Sequence, residues 1–269
     1  PGPMRFLASA ALVLLLATRA GAERRPAPRR RPPPPAIYRP QLDHPVTDAM
    51  LVGNVASFAA FHSRKRVMTA LAKWNFALSQ GQYYRLVTAC FLHASPAHLL
   101  VNCVSLNSIG PTVELFFGSR RFALLYFVSG VSGNLLSWGL GRAPLSVGAS
   151  GAIFGLMGGW GVFLATNKPV LEVHGFHRVE DTLGALVRTC ALNIAIGLSP
   201  GSHLDNFGHL GGLMGGAICA SLIGPRLRDA RVGFGGTMAI VDEPVIALPN
   251  PAPPRPQRNR NRTTQRRLL

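Results

Sequence analysis

The sequence predicts an all-α polytopic membrane protein, a bundle of six transmembrane helices. Three observations lead there. Of the 269 residues, 48% are hydrophobic and only 14% are charged, against roughly a quarter charged in soluble domains. Six apolar segments between residues 46 and 224 each approach the ~20 residues that cross a hydrocarbon core. The excess positive charge lies largely outside them: residues 1–42 carry eight Arg against one acid, and residues 225–269 nine Arg against three acids.

In chain order, an apolar run at 6–17 behind Met4-Arg5 is followed by the small residues Ala20-Gly21-Ala22. That layout makes residues 1–22 a signal-like targeting segment, since the run is short for a span. Residues 23–45 are rich in Pro and Arg, expected to be disordered, and compatible with the second part of a transit peptide. The six spans are expected at 46–62, 97–117, 120–140, 148–166, 182–198 and 206–224. The fifth contains Arg188, which either faces protein or snorkels to the interface. Residues 225–269 read as a basic, disordered tail. Six spans place both termini on one face, and the basic tails favour the inside for it. The 63–96 loop runs against that rule with Arg64, Lys65, Arg66, Lys73 and Arg85.

Nucleic acid is not an expected partner, because the basic tails carry almost no aromatic residues for base stacking. Cys90, Cys103, Cys190 and Cys219 form no C-x-x-C pair, so buried reduced thiols are expected rather than a disulfide framework or a zinc site. No cofactor is expected.

Polar chemistry sits inside the apolar spans, which is costly unless it has a use. Gly148-Ala149-Ser150-Gly151 opens the fourth span, with Gly155 beyond it. A serine after a turn-forming glycine at a helix N-terminus exposes its hydroxyl beside unpaired N–H groups that favour negative charge. The plainer alternative is a serine packed between small residues of a membrane helix. His209 lies in the sixth span among Gly208, Gly211, Gly212, Gly215 and Gly216. Glycine faces on this span and on the fourth (Gly151, Gly155, Gly159) let the backbones approach until serine and histidine can hydrogen-bond. The alternative for His209 is a structural bond to a neighbouring carbonyl. At the second span, His98 and Asn102 are four residues apart on one helical face, an imidazole and an amide able to hold an oxyanion with the Ser150 N–H. His93 lies before the helix and is expected to organise its loop. A metal held by His93 and His98 is the rival, but H-E-x-x-H is absent and no carboxylate is near. Asp205 reads as a helix cap rather than a third catalytic group. A Ser–His dyad follows, with the Phe154 ring, one turn after Ser150, placed to orient His209.

Together these residues resemble the rhomboid family. Its members share a histidine pair and an asparagine in the second span, G-x-S-G-x-x-x-G in the fourth and H-x-x-G-x-x-x-G in the sixth. Here the positions are His93/His98/Asn102, Gly148/Ser150/Gly151/Gly155 and His209/Gly212/Gly216. The resemblance covers roughly 46–224 and implies a six-helix rhomboid-like bundle. It makes Ser150 the nucleophile, His209 the general base, and His98, Asn102 and the Ser150 amide the oxyanion site. Tyr83-Tyr84-Arg85 resembles a loop motif often written Trp-Arg, and Glu114 with Gly118 resembles the acidic motif ending span two. Three positions depart from the family pattern: Tyr84 for Trp, Phe116 where many members carry Arg, and Phe154 where Tyr is frequent.

The resemblance further implies a serine-type endopeptidase that cleaves transmembrane segments of membrane proteins at small residues. The reaction would run in a water-filled cavity within the lipid bilayer, open to the outer face. The alternative is a non-proteolytic rhomboid-like protein that binds membrane clients; such relatives typically lack the serine or the histidine, and both stand here. An organelle membrane, that of a plastid, is the expected location, with mitochondrial or secretory-pathway membranes as alternatives.

Overall fold

The computed structural model describes residues 36–141, 143–202, 204–232 and 237–249. A two-residue strand, β1 (Ala36–Ile37), leads to helix α1 (Pro45–Phe61). The next loop holds α2 (Lys65–Leu71), β2 (Lys73–Trp74), α3 (Asn75–Ser79) and α4 (Arg85–Thr88), which continues into a 3-10 turn at Ala89–Phe91. There follow α5 (Pro96–Phe117), α6 (Ser119–Leu140), β3 (Leu145–Ser146), α7 (Ser150–Val173), α8 (Val179–Leu198) and α9 (Asn206–Ile223). The hairpin β4 (Leu227–Val232) and β5 (Thr237–Asp242) comes last.

Helices α1 and α5 to α9 stand where the six apolar segments were expected. By length and composition α5, α6, α8 and α9 can cross a membrane, and α1 is a shorter apolar helix. Five glycines dilute the apolarity of α7, which nonetheless forms the centre of the bundle, burying Leu156, Trp160, Phe163 and Leu164. The helix runs on to Val173, beyond the expected end at 166.

Local chemistry sets the helix starts. Ser95 accepts a hydrogen bond from the His98 amide at 3.1 Å, and Pro96 occupies a position where no donor is needed. Asp205 caps α9 by accepting from the Gly208 amide at 2.9 Å. Lipid offers no hydrophobic drive between helices, so close backbone packing must hold them. A Cβ on Gly212 would lie 1.9 Å from the Gly151 carbonyl oxygen, and one on Gly216 2.0 Å from that of Gly155. Helices α7 and α9 therefore touch backbone to backbone. Helix α8 sits at the periphery with only Val179 buried. Its Arg188 is exposed and curls back over Gly184, where a Cβ would lie 3.2 Å from the guanidinium.

The loop between α1 and α5 is anchored despite its departures from the family motif. The guanidinium of Arg85 is buried and donates to the carbonyls of Thr69 (2.6 Å) and Ala72 (2.9 Å). It lies 5.5 Å from the Tyr84 ring and 6.0 Å from that of Trp74. Tyr84 adds a bond from its hydroxyl to the Ala70 carbonyl.

Two expectations of disorder need correction. Strands β4 (227–232) and β5 (237–242) pair antiparallel, and β1 joins the β5 edge to make a three-stranded antiparallel sheet. Asn167 docks this sheet on α7, donating to the Pro225 carbonyl and accepting from the Leu227 amide at 2.7 Å. Arg121 pairs with Asp242, and the Tyr38 hydroxyl donates to the Phe116 carbonyl at 3.0 Å. Averaging composition over each tail hid these segments, because the Pro and Arg that dominate it lie farther out. Residues 38–44 are likewise placed, with Gln41 bonded to Ser119 at 2.6 Å. The targeting segment 1–22, residues 23–35 and the last twenty residues lie outside the described residues.

Candidate active site

Ser150 is the first residue of α7, where backbone N–H groups have no intrahelical partner. Strand β3 delivers the chain to Gly148, whose φ of +133° is open to glycine and strained for other residues. A Cβ there would also lie 2.8 Å from His98 Nε2 and 3.7 Å from Asn102 Nδ2. Gly148 is thus required twice, for its backbone conformation and for the space it leaves to His98. The N-terminus of α7 is thereby brought against the imidazole and amide on α5.

Ser150 Oγ and His209 Nε2 lie 3.0 Å apart, within hydrogen-bond reach. The Phe154 ring stacks on His209, with centroids 4.3 Å apart and planes within 4°. His209 and Phe154 are buried, and Ser150 is half-buried. Nδ1 of His209 is buried with no hydrogen-bond partner among the described residues. The nearby carboxylate of Asp205 is engaged elsewhere, with the Gly208 amide and the Ser137 hydroxyl. The stacked ring, rather than an acid, is what holds the imidazole plane.

On α5, Asn102 Nδ2 donates to the His98 carbonyl at 3.1 Å. His93 packs edge-on against His98, centroids 5.2 Å apart, and is fully buried. Burial first, and the neighbouring His98 second, push its pKa down to about 4, so it stays neutral. Gly151 lies under the Gly208 carbonyl, with only 3.3 Å for a Cβ. All eight residues singled out from the sequence therefore meet at one end of α7: Ser150, His209, His98, Asn102, His93, Phe154, Gly148 and Gly151. What the sequence reading missed is the ring of groups behind them, namely Lys73, Ser137, Asn134 and Gly133. Of these, only Gly133 carried a signal, as a small residue in an apolar span: its Cβ would lie 2.5 Å from the Gly208 carbonyl oxygen.

A cavity of about 520 Å³ opens from this cluster between α5 and α8, with α7 as its floor. Its walls are mostly apolar (Val101, Ile109, Met157, Trp160, Leu186), and its polar end is Ser150, His209, His98 and Asn102. A concave, largely apolar cavity with a few convergent polar groups is the common form of a binding or active site.

A family model described as the Rhomboid domain matches residues 80–226. The chain belongs to the rhomboid family and is a mostly helical integral membrane protein. It is 38% identical over 154 residues to rhomboid protease GluP of Bacillus subtilis, covering 57% of this chain and 28% of that protein. With RHOMBOID-like protein 1 of Arabidopsis thaliana it shares 43% over 142 residues, 53% of this chain and 35% of that one. With Rhomboid-like protease 3 of Toxoplasma gondii it shares 33% over 202 residues, 70% of this chain and 74% of that one. The chain thus spans about a third of the length of the first two relatives.

Ring stacking of Phe154 on His209 gives a measurable expectation. A stacked pair is worth about 0.5–1.5 kcal/mol, or roughly 2- to 10-fold in the population of the oriented imidazole. Phe154→Leu, which keeps apolar volume and loses the ring face, is expected to slow reaction of Ser150 with a serine-directed probe by that factor. Phe154→Tyr, which keeps the face, should slow it less.

Proposed function

We propose that this chain is an intramembrane serine endopeptidase that cleaves transmembrane segments of membrane proteins through Ser150 and His209. The observation that carries the reading is the 3.0 Å contact between Ser150 Oγ and His209 Nε2 at the mouth of an apolar cavity. Two relatives that bear the word protease in their names support it.

For Nε2 to accept the serine proton, Nδ1 must carry the ring hydrogen. Ser150 Oγ then attacks the scissile carbonyl carbon as its proton passes to His209 Nε2. The oxyanion that forms is held by the Ser150 amide, the His98 imidazole and the Asn102 amide, each worth a few kcal/mol when aimed at developing charge. Collapse breaks the C–N bond, and His209 returns the proton to the leaving amine. Water, deprotonated by the same imidazole, hydrolyses the acyl-enzyme and restores Ser150. The substrate enters from the bilayer between α5 and α8, as a single-span segment with small residues at the cut. The composition of residues 1–40, Arg-rich and poor in acids, supports an organelle membrane as the place of action.

Labelling with a fluorophosphonate probe in detergent tests this reading against a client-binding protein without activity. The full chain is expected to be labelled on Ser150, and His209→Ala should reduce the rate by three orders of magnitude or more, of the kind seen when a triad base is lost. A wild-type chain that folds and takes up no label would defeat the proteolytic reading.

A further inference from the structure

Lys73 is fully buried, a state Lys adopts almost only when it is paired. Its ammonium donates to Ser137 Oγ on α6 at 2.8 Å and to the Ala143 carbonyl at 2.9 Å. Ser137 in turn donates to Asp205 Oδ2, while Asp205 Oδ1 takes the Gly208 amide. The Asp205 carbonyl accepts from the His209 amide at 3.0 Å. Asp205 is thus the residue from which the His209 helix starts.

The same lysine also reaches the other half of the site. Strand β2 pairs antiparallel with β3, setting Lys73 opposite Ser146. Ser146 stands two residues before Gly148 and four before Ser150. Arg85 fixes the preceding residue by its bond to the Ala72 carbonyl. One buried cation therefore ties together the strand that delivers Ser150 and the cap that starts the His209 helix.

We propose that Lys73, acting through Ser137 and Asp205, is a positioning residue that sets the Ser150 and His209 elements against each other. This rests on the proteolytic reading above. Neither Lys73 nor Asp205 touches substrate in this scheme; the charge pair locks two backbones. Burial lowers the Lys73 pKa to about 8, and Asp205 opposes that shift, so the ammonium is held in place by its counter-charge. Removing Asp205 leaves the buried Lys73 cation unmatched, and removing Lys73 leaves the half-buried Asp205 carboxylate without its counter-charge, whereas removing both leaves neither.

The test is a double-mutant cycle on the full chain in detergent, reading fluorophosphonate labelling rate, kcat and KM on a transmembrane peptide substrate. Lys73→Met and Asp205→Asn are each expected to lower kcat and labelling roughly 10- to 100-fold with KM little changed, since a misplacement of about 1 Å costs that much. Asn still caps a helix, so Asp205→Asn isolates the charge. The double variant should be no slower than the slower single variant, and Lys73→Arg should recover most of the rate. If Lys73→Met fails to fold, Ser137→Ala carries the test, and it is expected to slow labelling with thermal unfolding intact. Multiplicative losses in the cycle, a change confined to KM, or wild-type labelling by Lys73→Met or Ser137→Ala would overturn the proposal. If the wild-type chain itself takes no label, the proteolytic reading fails and the positioning role goes with it. Labelling by wild type but unaltered variants sinks the positioning role alone.

Discussion

Replacing Ser150 by Ala is expected to abolish cleavage of a transmembrane substrate while leaving the folded protein in place. Alanine suits the first turn of a helix, and among the described residues the hydroxyl it removes bonds only to His209. Stability should therefore change little. Catalysis should collapse, because no other group lies where the nucleophile must be. Loss of a serine nucleophile in a triad enzyme costs about 10⁶ in turnover, and only the oxyanion donors and binding remain to assist water. The measurement is gel-resolved cleavage of a reconstituted single-span substrate, with thermal unfolding of the same samples alongside. Persistent cleavage by a well-folded Ser150→Ala protein would remove Ser150 from the mechanism.

The second large effect is expected at a glycine that takes no part in the chemistry itself. Gly212→Ala places a methyl group 1.9 Å from the Gly151 carbonyl oxygen and 2.7 Å from its carbon. Neither is the end of a flexible side chain, so the α7 and α9 backbones must separate. The separation falls next to Ser150 on one helix and three residues from His209 on the other, so their 3.0 Å contact opens. A displacement near 1 Å lowers rates about 100-fold, and overpacking of this kind typically costs about 1–3 kcal/mol in stability. Both activity and thermal midpoint should fall. Gly161→Ala is the control: on α7, away from the α9 contact, its Cβ would meet only Leu183 and Leu186 at 3.9 and 4.0 Å. Equal behaviour of the two variants would show that glycine content, rather than the α7–α9 contact, governs the helix.

The parts of the site that were legible in the sequence share one property. Each announces itself by a residue type that is costly where it stands: a serine behind Gly148 in an apolar span, His209 among glycines, His98 and Asn102 on one face. Asp205 was legible as a cap because a capping acid lies at fixed distance from the helix it starts. Lys73 was not, because its partners come from α6 and from the loop beyond it, and no local spacing encodes such a meeting. In the sequence it is one of five basic residues of a long loop, and four of them give no hint that the fifth is buried. The hairpin at 227–242 escaped for a related reason. Its strands are short, and β1 contributes only two residues, so their order is set by Asn167, Arg121 and Tyr38 from elsewhere in the chain.

That small sheet also redraws the limits of the folded unit. With Ala36 opposite Asp242 and Ile37 opposite Val241, the first and last strands are neighbours, and the described chain closes on itself like a ring with a clasp. A fragment cut at 46 and 224, where the apolar spans end, would retain the helices and lose the clasp. It would expose the Phe116 carbonyl that Tyr38 covers, and leave Arg121 and Asn167 without their partners in the sheet. The smallest piece that can be expected to behave as the whole therefore runs from about residue 36 to residue 246, where the Ile246 amide is still bonded to the Leu222 carbonyl at the end of α9. Because its first strand pairs with its last, that piece is also a candidate for joining its ends and opening the chain elsewhere.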